Sequence, residues 1–444
     1  MLTGGRTVRI GVTGLARAGK TAFLTSVAAN LLALGAGRPV LPGLGAQMGR
    51  VQSIQIAPTG ADRLPRFDYR RHLAALTADP PAWPERTSAA AVLAFDLVIG
   101  RERFGLPLPP RRIRLELLDY PGEWLLDLPL LQIPYAKWSA EVLRRLQTPA
   151  YAGLARDFLA FSLALPAAAP VHEALALAGH KLYVRTLQRL RDEAKLALLQ
   201  PGRFLMPAPG EAPGWMPFFP LNGQGGLAGL LAERYDRYVE AARLDLADPM
   251  FGNLDRIVVL ADLLTALHAG PVAFADASGA LAAAAGALRW RRSWMESALA
   301  LARFKLPPRV ITRLAFAVTK SDHVAERQRG NLVRLLRDAA RGTGEGDVTT
   351  GYFAIAAVRC TEDFVWTLEG RPISAVRGRR IGDERLGRSY PGEVPDRMPD
   401  PAFWDHPFLE LPEFEPRRPP DAGRGGVPEQ GLDALLGFLL ADIL

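Results

Sequence analysis

A β-prone run, Val8-Arg9-Ile10-Gly11-Val12-Thr13, empties into Gly14-Leu15-Ala16-Arg17-Ala18-Gly19-Lys20-Thr21, and an apolar-rich helical pattern follows as far as Leu34. Gly-x-x-x-x-Gly-Lys-Thr between a strand and a helix is the pattern of a loop that cradles phosphate. Gly14 and Gly19 let the backbone curl so that successive N–H groups, those of Arg17, Ala18 and Gly19 among them, point at one anion. The positive end of the following helix adds to the attraction. Lys20 is placed to reach a β- or γ-phosphate, and the Thr21 hydroxyl to ligate Mg²⁺.

A second group lies in Leu117-Leu118-Asp119-Tyr120-Pro121-Gly122-Glu123. A carboxylate at the end of a buried strand, here Asp119, can hold magnesium through water. A glycine three residues on, Gly122, can offer its N–H to a γ-phosphate and lose that bond after hydrolysis. Glu123 follows immediately. A carboxylate about 4 Å from a phosphate oxygen is repelled by roughly 4 kcal/mol per unit charge at an effective dielectric of 20. Glu123 therefore points away, acts as a base with an altered pKa, or leaves hydrolysis slow.

A third group selects the base. Leu314-Ala315-Phe316-Ala317-Val318 is a strand that runs into Thr319-Lys320-Ser321-Asp322. The Asp322 carboxylate can accept two parallel hydrogen bonds from the N1–H and exocyclic amine of guanine, whereas adenine would leave it unpaired. The aliphatic stem of Lys320 can lie over the purine face. Ala356-Ala357-Val358, at the end of the next strand, would set a small backbone loop beside the guanine carbonyl. The ligands this implies are GTP and GDP with Mg²⁺.

The order and spacing of these groups resemble the Ras-like GTPases of the P-loop class. The runs from Asp119 to Leu131, Gln200-Pro201-Gly202-Arg203-Phe204, His268-Ala269-Gly270-Pro271 and Tyr390-Pro391-Gly392-Glu393 further resemble the bacterial YcjX-like stress-protein family, from about Arg9 onward. The resemblance implies a Ras-like nucleotide domain with a helical insertion and a setting in envelope-stress responses. Thr319 departs from the Asn usual at that point in GTPases, and Glu123 from the usual Gln. The metal-closing threonine of the effector loop is assigned to Thr87, with Ser88 second, in Pro84-Glu85-Arg86-Thr87-Ser88; an ordinary turn is the alternative. Arg86 is given a surface role ahead of one stabilising phosphate charge.

These groups need a sheet to align them. The runs 95–99 and 113–118 read as a hairpin, and 257–260, 314–318 and 352–358 as further strands. Helical patterns fill 137–146, 150–164, 172–199, 225–244 and 324–341. The expected fold is α/β, a Ras-like, mostly parallel sheet with a large helical insertion and a C-terminal arm. The divisions are 1–124 and 251–366 for the nucleotide domain, 125–250 for the insertion, 367–428 for a Gly/Pro-rich arm and 429–444 for a closing helix. Gly35 to Gly49 reads as irregular.

With 444 residues, 49% hydrophobic and 23% charged, the chain is globular and large enough for two domains. One cysteine, Cys360, excludes an internal disulfide framework and suits a reducing compartment. No basic-then-apolar leader opens the sequence and no clean apolar run of spanning length occurs, so a cytoplasmic location is expected, with peripheral contact at an inner membrane compatible. The charge of +8 has its concentrations at 289–313 and 371–388, where a solvated basic surface is the default reading and an anionic membrane or nucleic acid the minority one. A protein effector is expected but not specified. Two other functions stay open: a P-loop ATPase with Asp262, at the end of Ile257-Val258-Val259-Leu260-Ala261, as the metal-site acid, and a nucleotide-dependent scaffold without turnover.

Overall fold

The computed structural model describes residues 6–444 apart from 16, 60–63, 86–89, 105, 167, 207–216, 248–253, 302–310, 342–347, 369, 384 and 407–410. They divide into two compact units. The first comprises Met1–Tyr120, Asn253–Gly270 and Lys305–Leu444, and the second Pro121–Gly252 and Pro271–Phe304.

The first unit is built on a seven-stranded sheet in the order β2-β3-β4-β1-β5-β6-β7. Its members are β1 (Arg6–Gly14), β2 (Arg50–Ile56), β3 (Ala91–Arg103), β4 (Leu106–Asp119), β5 (Arg256–Ala261), β6 (Arg313–Val318) and β7 (Thr349–Ala354). Only β3 runs against the rest, pairing antiparallel with both β2 and β4. The other neighbours are parallel. Every residue of β5 is buried, as its Ile-Val-Val-Leu run requires of a strand covered on both faces. Val8, Ile10 and Val12 of β1 form one core with Val258 and Leu260 of β5, Leu24, Val27 and Leu31 of helix α1 (Lys20–Gly35), and Leu435 and Leu439 of a helix at Leu432–Leu440.

Where reading and fold differ, distant partners are the reason. Within Gly35 to Gly49 lies helix α2 (Pro42–Met48), whose first N–H groups, those of Gly43 and Leu44, are both accepted by the Asp433 carboxylate at 2.8 Å. Strand β2 has no alternating pattern, since it is an edge strand rich in Gln and Ser. Strand β7 stops at Ala354, so 356–358 lie in the loop beyond it. Within the stretch read as an arm, 367–428, lie strands β9 (Arg371–Arg379) and β10 (Leu386–Ser389), which join β8 (Thr361–Leu368) in a three-stranded antiparallel sheet.

The second unit is helical. It contains α4 (Gly122–Leu125), α5 (Tyr135–Leu146), α7 (Arg156–Ala164), α8 (Glu173–Asp192), α9 (Gly226–Ala247) and a long helix, Pro271–Leu301, that the sequence reading had grouped with the nucleotide domain. Its core is aromatic: Trp138 is surrounded by Tyr135, Tyr183, Phe218 and Tyr235, with ring centres 5.1–6.2 Å away. Truncating such a buried Trp to Ala costs about 3–5 kcal/mol. The aromatic loop at 218–219 is thus a packing element.

Candidate nucleotide-binding site

At the sheet's central strand, the phosphate loop has the backbone its glycines permit. Gly14 pairs with Leu260 on β5, and a Cβ there would sit 2.7 Å from the Leu260 carbonyl oxygen. Gly19 caps α1 at φ 79°, a left-handed conformation that glycine adopts without strain. Arg17 is left-handed as well, at φ 66°. No side chain caps α1 and no acidic residue occupies its first turn, so the positive end of the helix is not neutralised from within. The Thr21 side chain is buried in that turn, and its carbonyl accepts the Thr25 hydroxyl at 2.8 Å.

Asp119 lies at the C-terminal end of β4, paired in register with Val12 of β1, and is 2% exposed. Thr21 and Asp119 thus flank the end of one strand, a hydroxyl and a carboxylate, which is a donor set that suits a hard divalent cation.

Three strands along, β6 runs into Thr319, Lys320, Ser321 and Asp322. Thr319 donates its N–H to the Ala261 carbonyl at 2.9 Å and is buried. Lys320 takes a left-handed conformation at φ 59° and its ammonium pairs with Asp262 at 2.5 Å. Asp322 is 1% exposed. Its Oδ2 accepts the Cys360 N–H at 2.7 Å, the Thr361 N–H at 3.3 Å and the Cys360 thiol at 3.2 Å, while the Thr361 hydroxyl donates to the Asp322 carbonyl. Sequence reasoning did not find Cys360 and Thr361, because nothing in their spacing from Asp322 signals the contact. Asp322, His323 and Cys360 put three potential ligand atoms within 4.8 Å. Burial pushes the thiol well up and the imidazole down, and the three are linked by hydrogen bonds, with Cys360 Sγ 3.2 Å from Asp322 Oδ2 and 3.4 Å from His323 Nε2.

Of the predicted triplet, Ala356 spends its N–H on the Gln430 carbonyl at 2.9 Å. Asp262 is otherwise engaged: it caps the helix Leu263–Ala269 through the Thr265 N–H at 3.0 Å, accepts the Thr265 hydroxyl at 2.6 Å and pairs with Lys320. Burial raises its carboxyl, but Lys320 and the Thr265 bonds outweigh that and hold it below the ordinary carboxylate range. A carboxylate neutralised by a lysine and tied to a helix end is a poor metal ligand, which removes the structural support for Asp262 as the metal-site acid. Arg86, Thr87 and Ser88 lie outside the described residues.

Gly122 and Glu123 open α4 in the second unit. Their surroundings there are tight. A Cβ on Gly202 would fall 2.0 Å from the Glu123 carbonyl oxygen, Trp124 Nε1 donates to the Met206 carbonyl at 2.8 Å, and the Arg203 guanidinium lies 4.7 Å from the Trp124 ring centre. Buried Asp127 accepts the Gly202 N–H at 2.7 Å and the Tyr238 hydroxyl. Burial pushes its carboxyl up to about 6 against the pull of those bonds. Glu123 Oε2 is shielded from solvent and has no hydrogen-bond partner among the described residues.

A central strand, a phosphate-type loop and a helix N-terminus in a mostly parallel sheet define an α/β protein of the P-loop type. The YcjX-like family, DUF463, matches residues 8–444. The chain is 33% identical to the Ras-like GTPase YcjX of Escherichia coli (strain K12) over 459 residues, 99% of this chain and 96% of the relative. It is 30% identical to the Ras-like GTPase YcjX of Shewanella oneidensis over 480 residues, 100% of this chain and 96% of the relative. The protein belongs to the YcjX-like family. Among the described residues no helix is long and apolar enough to cross a membrane.

Proposed function

We propose that this protein binds Mg²⁺ with GTP or GDP and hydrolyses GTP slowly, as a switch read by a protein effector in the bacterial stress response that the family resemblance implies. The observation that carries the reading is the uncapped, left-handed entry to α1 at Gly19, with Thr21 and Asp119 beside one strand end and Asp322 beyond another. The loop N–H groups and Lys20 bind and orient the phosphates. Thr21 and Asp119 would hold Mg²⁺, which when bound neutralises charge on the β- and γ-phosphates. Thr87 would complete the metal site when the effector loop closes.

Asp322, positioned by Cys360 and Thr361, would accept the guanine N1–H and amine. Lys320 lends its stem to the base, and Ala357 and Val358 offer N–H groups to the carbonyl. Gly122 senses the γ-phosphate. Glu123, a poor analogue of the usual Gln, would position the attacking water badly and keep turnover slow.

Titration of the purified chain with GTP, GDP and ATP in the presence of Mg²⁺ tests this. GTP and GDP should bind at least about tenfold more tightly than ATP, as a site built to pair a donor edge requires. Equal GTP and ATP affinity would remove the guanine assignment. GTP binding without phosphate release would leave a nucleotide-dependent scaffold.

A further inference from the structure

Strands β3 and β4 continue past their other neighbours. Pairing of β3 with β2 reaches no further than Gly100, and pairing of β4 with β1 begins at Ile113. Between those points, among the described residues, the two strands pair only with each other, Arg101 opposite Leu108, Glu102 opposite Pro107 and Arg103 opposite Leu106. The result is a two-stranded ribbon standing off the sheet. From Leu106 to Arg112 every residue is exposed. Phe104, next to the turn, is 91% exposed, Leu106 68% and Leu108 36%.

A lone exposed apolar side chain is ordinary, but three at one ribbon tip are a feature that invites a partner. The charge around them indicates which. Among the residues of the ribbon whose side chains are described, three arginines, Arg101, Arg111 and Arg112, stand against one acid, Glu102. Arg111 is committed to the carbonyls of Ile443 and Leu444, at 2.6 and 3.0 Å, and anchors the base of the ribbon. Pro107, Pro109 and Pro110 carry no N–H, so this edge is poorly made to accept an added strand from another protein. Leu106 and Leu108 are aliphatic, so Phe104 alone offers a stacking surface, where a groove for single-stranded nucleic acid stacks successive bases on several aromatics. A projecting apolar tip with a basic collar fits a fluid surface that is apolar within and anionic outside.

We propose that the ribbon formed by residues 101–104 and 106–112 docks on an anionic lipid surface, with Phe104 and Leu106 entering the acyl boundary and Arg101 and Arg112 meeting the headgroups. The full chain should sediment with sucrose-loaded vesicles of phosphatidylcholine containing 30% phosphatidylglycerol, and only weakly with pure phosphatidylcholine. Raising NaCl from 50 to 500 mM should weaken binding. Phe104→Ser with Leu106→Ser should lower vesicle affinity at least about tenfold while leaving the salt dependence in place. Arg101→Ala and Arg112→Ala should each lower it about fivefold and flatten the salt dependence.

Cys360 is buried, so a fluorophore on a Leu108→Cys variant reports on the ribbon. Its emission should shift to the blue on anionic vesicles. Unchanged thermal melts and guanine-nucleotide affinity in these variants would certify the fold, since the ribbon takes no part in that site. Absence of vesicle binding by the unmodified chain, or equal binding by the Phe104/Leu106 variant, overturns the proposal. So does capture of labelled single-stranded RNA through these same residues without vesicle binding.

Discussion

The two ends of the candidate site are made of different material. At the phosphate end the work falls to backbone: left-handed Gly19 and Arg17, an uncapped helix start, and a glycine pressed against β5. At the base end it falls to side chains whose orientation is set by others, with Asp322 held by Cys360 and Thr361 and Lys320 held by Asp262. A backbone cradle recognises any nucleotide that carries phosphates. A carboxylate held from one side recognises a particular donor edge. Under the proposed reading affinity and selectivity are separable, and substitutions can break them apart.

The largest effect is expected at the phosphate end. Lys20→Ala should weaken GTP, GDP and ATP alike, by about 10- to 100-fold for the loss of a charged hydrogen bond. Equilibrium binding by fluorescence of labelled nucleotides measures this, and a loss confined to guanine nucleotides would contradict the division of labour. At the base end, Asp322→Asn should cost GTP roughly tenfold or more and leave ATP nearly unchanged, because an amide accepts only one of the two guanine donors cleanly. Equal losses for both nucleotides would mean that Asp322 supports the loop rather than reads the base.

Thr361→Val sharpens the same point. It removes the hydroxyl bond to the Asp322 carbonyl and should cost GTP about three- to tenfold, the worth of one hydrogen bond, with ATP unaffected. A variant indistinguishable from the parent in GTP:ATP preference would show that the hold from β8 is not needed for selectivity.

A smaller effect lies outside both ends, at Asp127. Its carboxyl is raised from 3.8 to about 6 in the fold, so the native state favours the protonated form. That contribution is full below the unfolded pKa near 4 and is lost as pH rises through about 6, with about 1 kcal/mol disappearing between pH 5 and 7. Urea unfolding of the parent should show this decline, and Asp127→Asn should not. Smallest of all, Glu123→Gln should hydrolyse bound GTP at least as fast as the parent in single turnover, since the amide keeps the length and removes the repulsion. A hundredfold slowing with affinity intact would make Glu123 the general base.

The phosphate end was legible in the sequence because its chemistry is local. Gly14, Gly19, Lys20 and Thr21 sit within eight residues, and their spacing alone specifies strand, turn and helix. The hairpin and the strands ending at Asp119 and Val318 were legible for the same reason, being short β-branched and aliphatic runs. The base end was legible only in part. Asp322 could be named, but the donors that touch it, Cys360 and Thr361, stand 38 and 39 residues further on, and nothing in that spacing announces the contact. Helix α2 was hidden too, because its cap is Asp433. Asp262 could be mistaken for a metal ligand because its true partners, Lys320 and Thr265, cannot be inferred from the strand that carries it.

The absent side chain at Gly202 has a mechanical consequence. With the Glu123 carbonyl so close, a single added methyl there would act as a wedge driven under the turn that begins at Gly122. Gly202→Ala would therefore bear on that turn from 79 positions along the chain without altering any charge or hydrogen-bonding side chain. Such a variant separates stiffness from chemistry: every reactive group stays in place while the freedom of the turn to relax is taken away.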